Sequence, residues 1–272
     1  MTSKTPLRVG IAGLGAVGLD VARRLIDGVI EGVTLTAVAV RDADKARRAL
    51  PQLGDLIAFR SMSALADDCD VVVECLPPAL FREVAVATID KGRLFMPLSV
   101  AQLLKNPDLI TRAKEKGARI LVPTGALLGL DAVRAAAEGT IHSVKMVTRK
   151  PPKGLEGAPY LVERSVSLEG LKEPRKIFDG TAREGAIGFP ANVNVAAALS
   201  LAGVGPDRTQ LEIWADPTVT RNTHTITVDS DAMRLSMTIE SIPSENPRTG
   251  KSVAPSVIAA LRGLVSELKV GS

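Results

Sequence analysis

Aromatic side chains are nearly missing from this chain of 272 residues: five Phe, one Tyr and one Trp, 3% in all. A protein so poor in rings has no row of stacking platforms for single-stranded nucleic acid. Cysteine is as scarce. Cys69 and Cys75 are too few, and wrongly spaced, for a disulfide framework or a zinc site, so no metal is expected. Free thiols fit a reducing compartment, and the expected location is the cytoplasm. No apolar run approaches the ~18 residues a membrane span needs, so no membrane partner is expected. The opening "MTSKTPLRVGIAGLGAVGL" imitates a secretion signal, basic and then apolar, but no small-residue cleavage site follows cleanly. A dominant charge is missing too. The net charge is +4, with 34 Lys and Arg scattered among 30 Asp and Glu. That argues against a nucleic-acid face and suits a small anionic ligand.

What is present is a large apolar fraction, 46%, in a chain long enough for about two domains. Up to about Thr124, short apolar runs alternate with helical patterns. Val9 to Ala12, "VTLTAVAV", "LIAF", "DVVVECL", "RLFMPL" and "ARILVP" read as strands. Helices are expected from Ala16 to Asp27, after Asp42, after Pro78 and after the Asn106 cap. Such alternation implies a doubly wound parallel sheet with right-handed crossovers. Beyond Thr124 the grammar changes. "HSVKMVTRK" and "RKIFDGTA" read as strands, "ANVNVAAALSLAG" as a buried helix, and "TQLEIWAD", "THTITVDS" and "MRLSMTIE" as three strands with short links. Consecutive strands favour antiparallel pairing. Last, Val257, Leu261, Leu264, Val265 and Leu268 share one helical stripe. The expected architecture is α/β: a Rossmann-type sheet domain over residues 1–126, completed by a C-terminal helix within 248–272. A smaller α+β domain over 127–247, with a mostly antiparallel or mixed sheet, is expected to carry substrate and dimer contacts.

"VGIAGLGAVG" places Gly13, Gly15 and Gly18 in G-x-G-x-x-G spacing between a strand and a helix. Gly13 permits the tight turn, Gly15 lets the backbone approach a pyrophosphate, and Gly18 lets the helix pack closely. The N–H groups at the helix start, from Ala16 and Val17 onward, then face the phosphates. The expected cofactor is NAD or NADP. Arg41 stands at the end of the second strand, where an acid often binds the ribose of NAD, and Asp42 follows. Arg41 either meets the extra phosphate of NADP or is an ordinary surface arginine; Asp42 either touches ribose or caps a helix. Ligands of such sheets lie outside the carboxyl ends of the strands, so Leu76 and Pro77, and later Thr124-Gly125-Ala126, are expected beside the nicotinamide. Cys75 nearby reads as a small buried hydrophobe.

There are two histidines. His142 reads as structural or exposed. His224, in "TRNTHTI", alternates with Thr223 and Thr225 and so falls on the apolar face of its strand with Ile226 and Val228. There it is either a satisfied core residue or a working acid–base group, since its pKa lies near neutrality. Asn192 and Asn194 are candidate amide donors to a dicarboxylate, or caps. Arg149, Lys150 and Arg221 are candidate carboxylate partners, or surface charges. Lys150 is also a rival base if burial lowers its pKa.

Taken together, "VGIAGLGAVG", "VPTGALLGLDAV", "TRKPP", "GFPANVNVAAALSLAG", "ADPTVTRNTH" and "ENPRTGKS" resemble the L-aspartate dehydrogenase family, in order and over almost the whole chain. The resemblance implies a Rossmann domain with a smaller α/β domain, a homodimer, and NAD- or NADP-dependent interconversion of L-aspartate with oxaloacetate and ammonia. It also implies release of iminoaspartate for nicotinamide biosynthesis. It places Ala126 and Asn194 on the cofactor and makes His224 the catalytic residue. Two departures stand out: Leu127-Leu128 in the "TGALLG" turn and the Arg41-Asp42 pair. Three rivals share parts of the pattern. A semialdehyde dehydrogenase needs a thiolate in the second domain, and no cysteine follows Cys75. An imine reductase needs no RNxH strand. A cofactor-sensing protein needs no turnover.

Overall fold

The computed structural model describes residues 5–54, 56–127, 129–190, 192–242 and 250–271. Leu128, Ala191 and most of "ENPRTGKS" lie outside them. The chain forms two compact units, residues 1–123 with 254–270, and residues 124–253 with 271–272.

In the first unit, six parallel strands are ordered β3-β2-β1-β4-β5-β6. They are β1 (Leu7–Ala12), β2 (Val33–Ala39), β3 (Ala58–Arg60), β4 (Val71–Glu74), β5 (Leu94–Pro97) and β6 (Arg119–Ile120). Between them run α1 (Ala16–Ile26), α2 (Ala43–Ala49), α3 (Phe81–Asp90), α4 (Ala101–Lys105) and α5 (Asp108–Glu115). Sequence order reverses direction across the sheet between β1 and β4, the place where sheets of this kind hold a ligand crevice at the carboxyl ends of their strands. The core is aliphatic: Val9, Ile11, Val38, Val71 and Val73 face Val21, Leu25 and Leu50. Two local readings are corrected. Asn106 does not cap the fifth helix; Pro107 stands at that position, and Asn106 ends α4 with its amide on the Gln102 carbonyl. α4 itself was not foreseen, being only five residues long.

The second unit holds α6 (Leu130–Ala137), β7 (Ile141–Lys150), α7 (Pro159–Glu163), β8 (Arg175–Thr181), α8 (Ala182–Gly188), α9 (Asn194–Ala202), β9 (Thr209–Ala215), β10 (Asn222–Ser230) and β11 (Arg234–Ser241). Its sheet is ordered β11-β10-β7-β9-β8. β10 pairs antiparallel with β11, as short links suggest, but β9 does not pair with β10. β7 lies between them, antiparallel to β10 and parallel to β9, so the sheet is mixed. The 216–221 link is no tight hairpin turn and lets the chain step over a strand. Alternation is strict on the three central strands: Val144, Met146, Thr148 and Lys150 on β7, Leu211 and Ile213 on β9, and Asn222, His224, Ile226 and Val228 on β10 are all buried. α8 and α9 pack against β9. Helix α10 (Val253–Val265) buries Ala254, Val257, Ile258 and Leu261 in the core of the first unit, while Leu268 lies beyond its end and is exposed.

Candidate active site

The glycine turn after β1 is shaped by three different constraints. Gly13 has φ +90°, a left-handed conformation that side chains disfavour, and a Cβ there would sit 2.7 Å from the Cys75 carbonyl oxygen. A Cβ on Gly18 would run into the Gly13 carbonyl. Gly15 differs from both: its φ of −77° is ordinary, and a Cβ would meet none of the described residues within 4 Å. Its backbone faces open space, as a cradle for a ligand must. α1 begins there with no side-chain cap and no acid in its first turn, which leaves the positive end of the helix dipole, at Ala16 and Val17, for an anion. At the end of β2 both Arg41 and Asp42 are exposed, and the Asp42 carboxylate accepts from Lys45 N at 2.8 Å as the cap of α2.

At the end of β4 stands a residue that the sequence reading passed over. Glu74 is 0% exposed. Its carboxylate accepts from Leu76 N at 2.7 Å, Ser99 N at 3.0 Å and Ser99 Oγ at 3.0 Å. Burial pushes its pKa up, and the donations from Ser99 and Leu76 oppose that. Its sequence signal is a single acid at the end of a continuous apolar strand. Cys75 beside it is half-buried, with its thiol pKa raised by desolvation, the condition of an inert thiol.

In the second unit, strand pairing sets His224 opposite Thr148. His224 is 3% exposed, and its Nδ1 lies 3.1 Å from Thr148 Oγ1, the ring's one hydrogen bond among the described residues. Two residues along β7, on the same face, Lys150 is also 3% exposed. Its Nζ donates to Asn192 Oδ1 at 3.0 Å, and no acid pairs with it among the described residues. Burial lowers Lys150 to about 8. Burial, and then the Lys150 charge, lower His224 to about 3. Strand register therefore brings Thr148, Lys150 and His224 onto one buried face, and the Lys150 hydrogen bond joins the half-buried Asn192 to them. Asn194 is the first residue of α9, two positions beyond Asn192, and is half-buried. Ala126 lies in the turn closed by Leu127 N donating to the Thr124 carbonyl, with Gly125 at φ +66°.

The other basic candidates lie elsewhere. The Arg149 guanidinium is 3.1 Å from Asp216 and stacks over Trp214. Arg221 is exposed and 3.7 Å from Glu240. His142 is exposed.

Sequence comparison extends this picture over both units. Residues 131–264 match a family model described as aspartate dehydrogenase, C-terminal, and residues 13–123 match the NAD binding domain of homoserine dehydrogenase. An L-aspartate dehydrogenase of Bradyrhizobium diazoefficiens is 54% identical, over 100% of this chain and 96% of that protein. L-aspartate dehydrogenase 3 of Bordetella bronchiseptica is 51% identical over the whole of both chains. The chain belongs to the L-aspartate dehydrogenase family. An aspartate dehydrogenase structure from Thermotoga maritima shares the fold, with a TM-score of 0.73 at 23% identity over 97% of this chain and 99% of that one. A homoserine dehydrogenase structure from Thiobacillus denitrificans is a more distant likeness, with a TM-score of 0.61, 15% identity, and coverage of 96% and 74%. As in other dehydrogenases, the first unit is an NAD(P)-binding domain. The open face of Gly15 and the uncapped start of α1 fit a dinucleotide pyrophosphate.

Proposed function

We propose that this protein oxidises L-aspartate with NAD or NADP to iminoaspartate, which hydrolyses to oxaloacetate and ammonia, and that His224 moves the protons in both directions. The observation that carries the reading is the buried group on β7 and β10: an imidazole oriented by Thr148 beside an ammonium that no acid pairs with among the described residues. A buried cation without a counter-charge is costly, and a dicarboxylate substrate offsets that cost. In this reading Lys150 takes a substrate carboxylate, Asn192 holds the ammonium by its amide oxygen, and Asn194 adds polar contact from the start of α9. Arg221, engaged with Glu240, is left at the surface.

Gly13, Gly15, Ala16, Val17 and Gly18 hold the pyrophosphate, Arg41 and Asp42 flank the adenosine ribose, and Leu76 and Pro77 border the nicotinamide; Ala126 and Asn194 enter as cofactor contacts from the family resemblance. When bound, the nicotinamide supplies the acceptor for the hydride that leaves Cα. The protein's own part is proton traffic. At neutral pH His224 is unprotonated and accepts a proton from the substrate ammonium, with burial and then the Lys150 charge weakening it as a base until substrate is seated. The freed lone pair on nitrogen then forms the C=N bond as hydride leaves. Water adds to that bond, and the same imidazole accepts its proton once the first has been passed on. The Lys150 charge opposes each protonation of His224. A carboxylate seated on Lys150 removes that opposition, so substrate binding itself strengthens the base.

A homodimer in the cytoplasm completes the proposal. The outer face of the second sheet, with Val147, Thr223, Thr225 and Trp214 half-exposed, offers a second copy partly apolar surface to bury. Sedimentation of the purified protein tests the dimer. The activity is tested by a screen of amino acids with each cofactor, followed by the near-ultraviolet absorbance of reduced nicotinamide; aspartate is expected to lead. His224→Ala is expected to lose turnover by about 10²-fold or more while still binding cofactor. Undiminished turnover in that variant would move the role of base to Lys150, whose pKa of about 8 suits it.

A further inference from the structure

We propose that Glu74 is a positioning residue for the nicotinamide half of the dinucleotide. The argument begins with the strand ladder. The last backbone bond between β4 and the chain leaving β5 runs from Leu98 N to the Glu74 carbonyl, at 3.0 Å. One residue further on, the partner of Ser99 N is no longer backbone but the Glu74 carboxylate, at 3.0 Å. The side chain extends the pairing past the point where the ladder stops. The same carboxylate turns back onto its own strand and accepts from Leu76 N. Ser99 Oγ closes the figure, within hydrogen-bond reach of both Glu74 Oε1, at 3.0 Å, and the Leu76 carbonyl, at 3.2 Å. One buried anion thus fixes two loop starts at adjacent strand ends.

Those ends matter because of their place in the sheet. The strand order runs β2, β1, β4, β5, with the glycine turn after β1. A dinucleotide with its pyrophosphate on that turn and its adenosine ribose near Arg41, after β2, extends its other half over the ends of β4 and β5. The segment that Glu74 holds abuts the glycine turn: Cys75 N donates to the Ala12 carbonyl at 2.8 Å, and the Cys75 carbonyl is the atom that a Cβ on Gly13 would strike. A fully buried carboxylate is a costly way to tie a loop, because it must stay desolvated. It also fixes its donors more tightly than a neutral acceptor, since charge-assisted bonds are shorter and stronger. Glu74 touches no reacting atom; it acts through Leu76, Pro77 and Ser99.

The proposal rests on the dinucleotide reading of the glycine turn, and its test separates the two. Binding of NADH and of ADP-ribose, which lacks the nicotinamide, is measured by calorimetry on the wild type and on Glu74→Gln. Glutamine keeps the shape but presents an amide NH₂ to atoms that are themselves donors. Glu74→Gln is expected to bind NADH about tenfold more weakly and ADP-ribose as the wild type does. A wild type that binds neither ligand would overturn the dinucleotide reading and the proposal with it. Wild-type binding combined with equal weakening of both ligands in the variant, or weakening of neither, would overturn the proposal alone. If Glu74→Gln does not fold, Ser99→Ala decides. It removes the hydroxyl and leaves both backbone donors in place, and a loss of about threefold confined to NADH is expected. Unchanged NADH binding, or equal loss of both ligands, would count against Glu74. In turnover, Glu74→Gln is expected to raise KM for the cofactor and leave KM for aspartate unchanged.

Discussion

His224 is held in a state that costs stability in acid, and the sign can be worked out. Its folded-state pKa is about 3, against an ordinary 6.5. Between those values the unfolded chain binds a proton at this ring and the folded chain does not. Folding stability therefore falls as pH drops through that window and is undisturbed by this residue above it. His224→Gln keeps a polar group beside Thr148 but cannot titrate. Its urea midpoint is expected to change less between pH 6.5 and pH 4 than the wild type's, with a slope shallower by up to about 1.4 kcal/mol per pH unit. Parallel slopes for the two proteins would show that the ring is not held neutral by its surroundings. Much at this scale was legible in the sequence. The alternation of Thr223, His224 and Thr225 assigned the ring to the apolar face, and it is buried there. Its neighbours were not legible in the same way. Thr148 meets His224 only because β7 pairs with β10 across 76 residues of chain, and no local pattern encodes that register. Glu74 was hidden for a related reason: its donor Ser99 is 25 residues away.

At the scale of elements, the parallel sheet was readable because each strand is a short apolar run closed by a turn signal. Helices α4, α6, α7 and α8 were not read from the sequence, and α4 and α8 each fail a propensity argument. α4 is five residues long, and α8, "AREGAIG", carries two glycines in seven residues. The signal for α8 was at its edge instead: Thr181 and Glu184 form a reciprocal capping box. The glycine turn makes a sharper element-level test, because its glycines are there for opposite reasons. Gly15→Val adds a side chain where none of the described residues stands within 4 Å of its Cβ, at a φ that valine tolerates. It is expected to leave the thermal midpoint within about 2 °C of wild type while weakening NADH at least about tenfold. Gly18→Ala drives a methyl into the Gly13 carbonyl and is expected to cost about 1–3 kcal/mol of stability before any ligand is added. Thermal melts with and without NADH distinguish the two. A Gly15→Val protein that binds NADH normally would mean that the open face is not the cofactor's cradle.

At the scale of the whole molecule, the first unit is discontinuous: residues 1–123 leave it, and the chain returns at Ala254. The returning helix is part of the interior. Val257 and Leu261 are 0% exposed and share a core with Val9, Leu25 and Val38. Burying side chains of this kind stabilises by about 1.5–3 kcal/mol each. With Ile258, α10 thus contributes an amount comparable to the entire ~5–15 kcal/mol by which a domain of this kind is stable. The glycine turn, though it opens the chain, depends on a helix that closes it. Residues 1–123 expressed alone are expected to give no cooperative thermal transition and no NADH binding. The same residues joined through a Gly/Ser linker to 250–272 are expected to recover both. Circular dichroism melts and NADH fluorescence read the two outcomes. A folded, NADH-binding 1–123 fragment would mean that the β-sheet and its own crossover helices bury enough apolar surface to stand without α10.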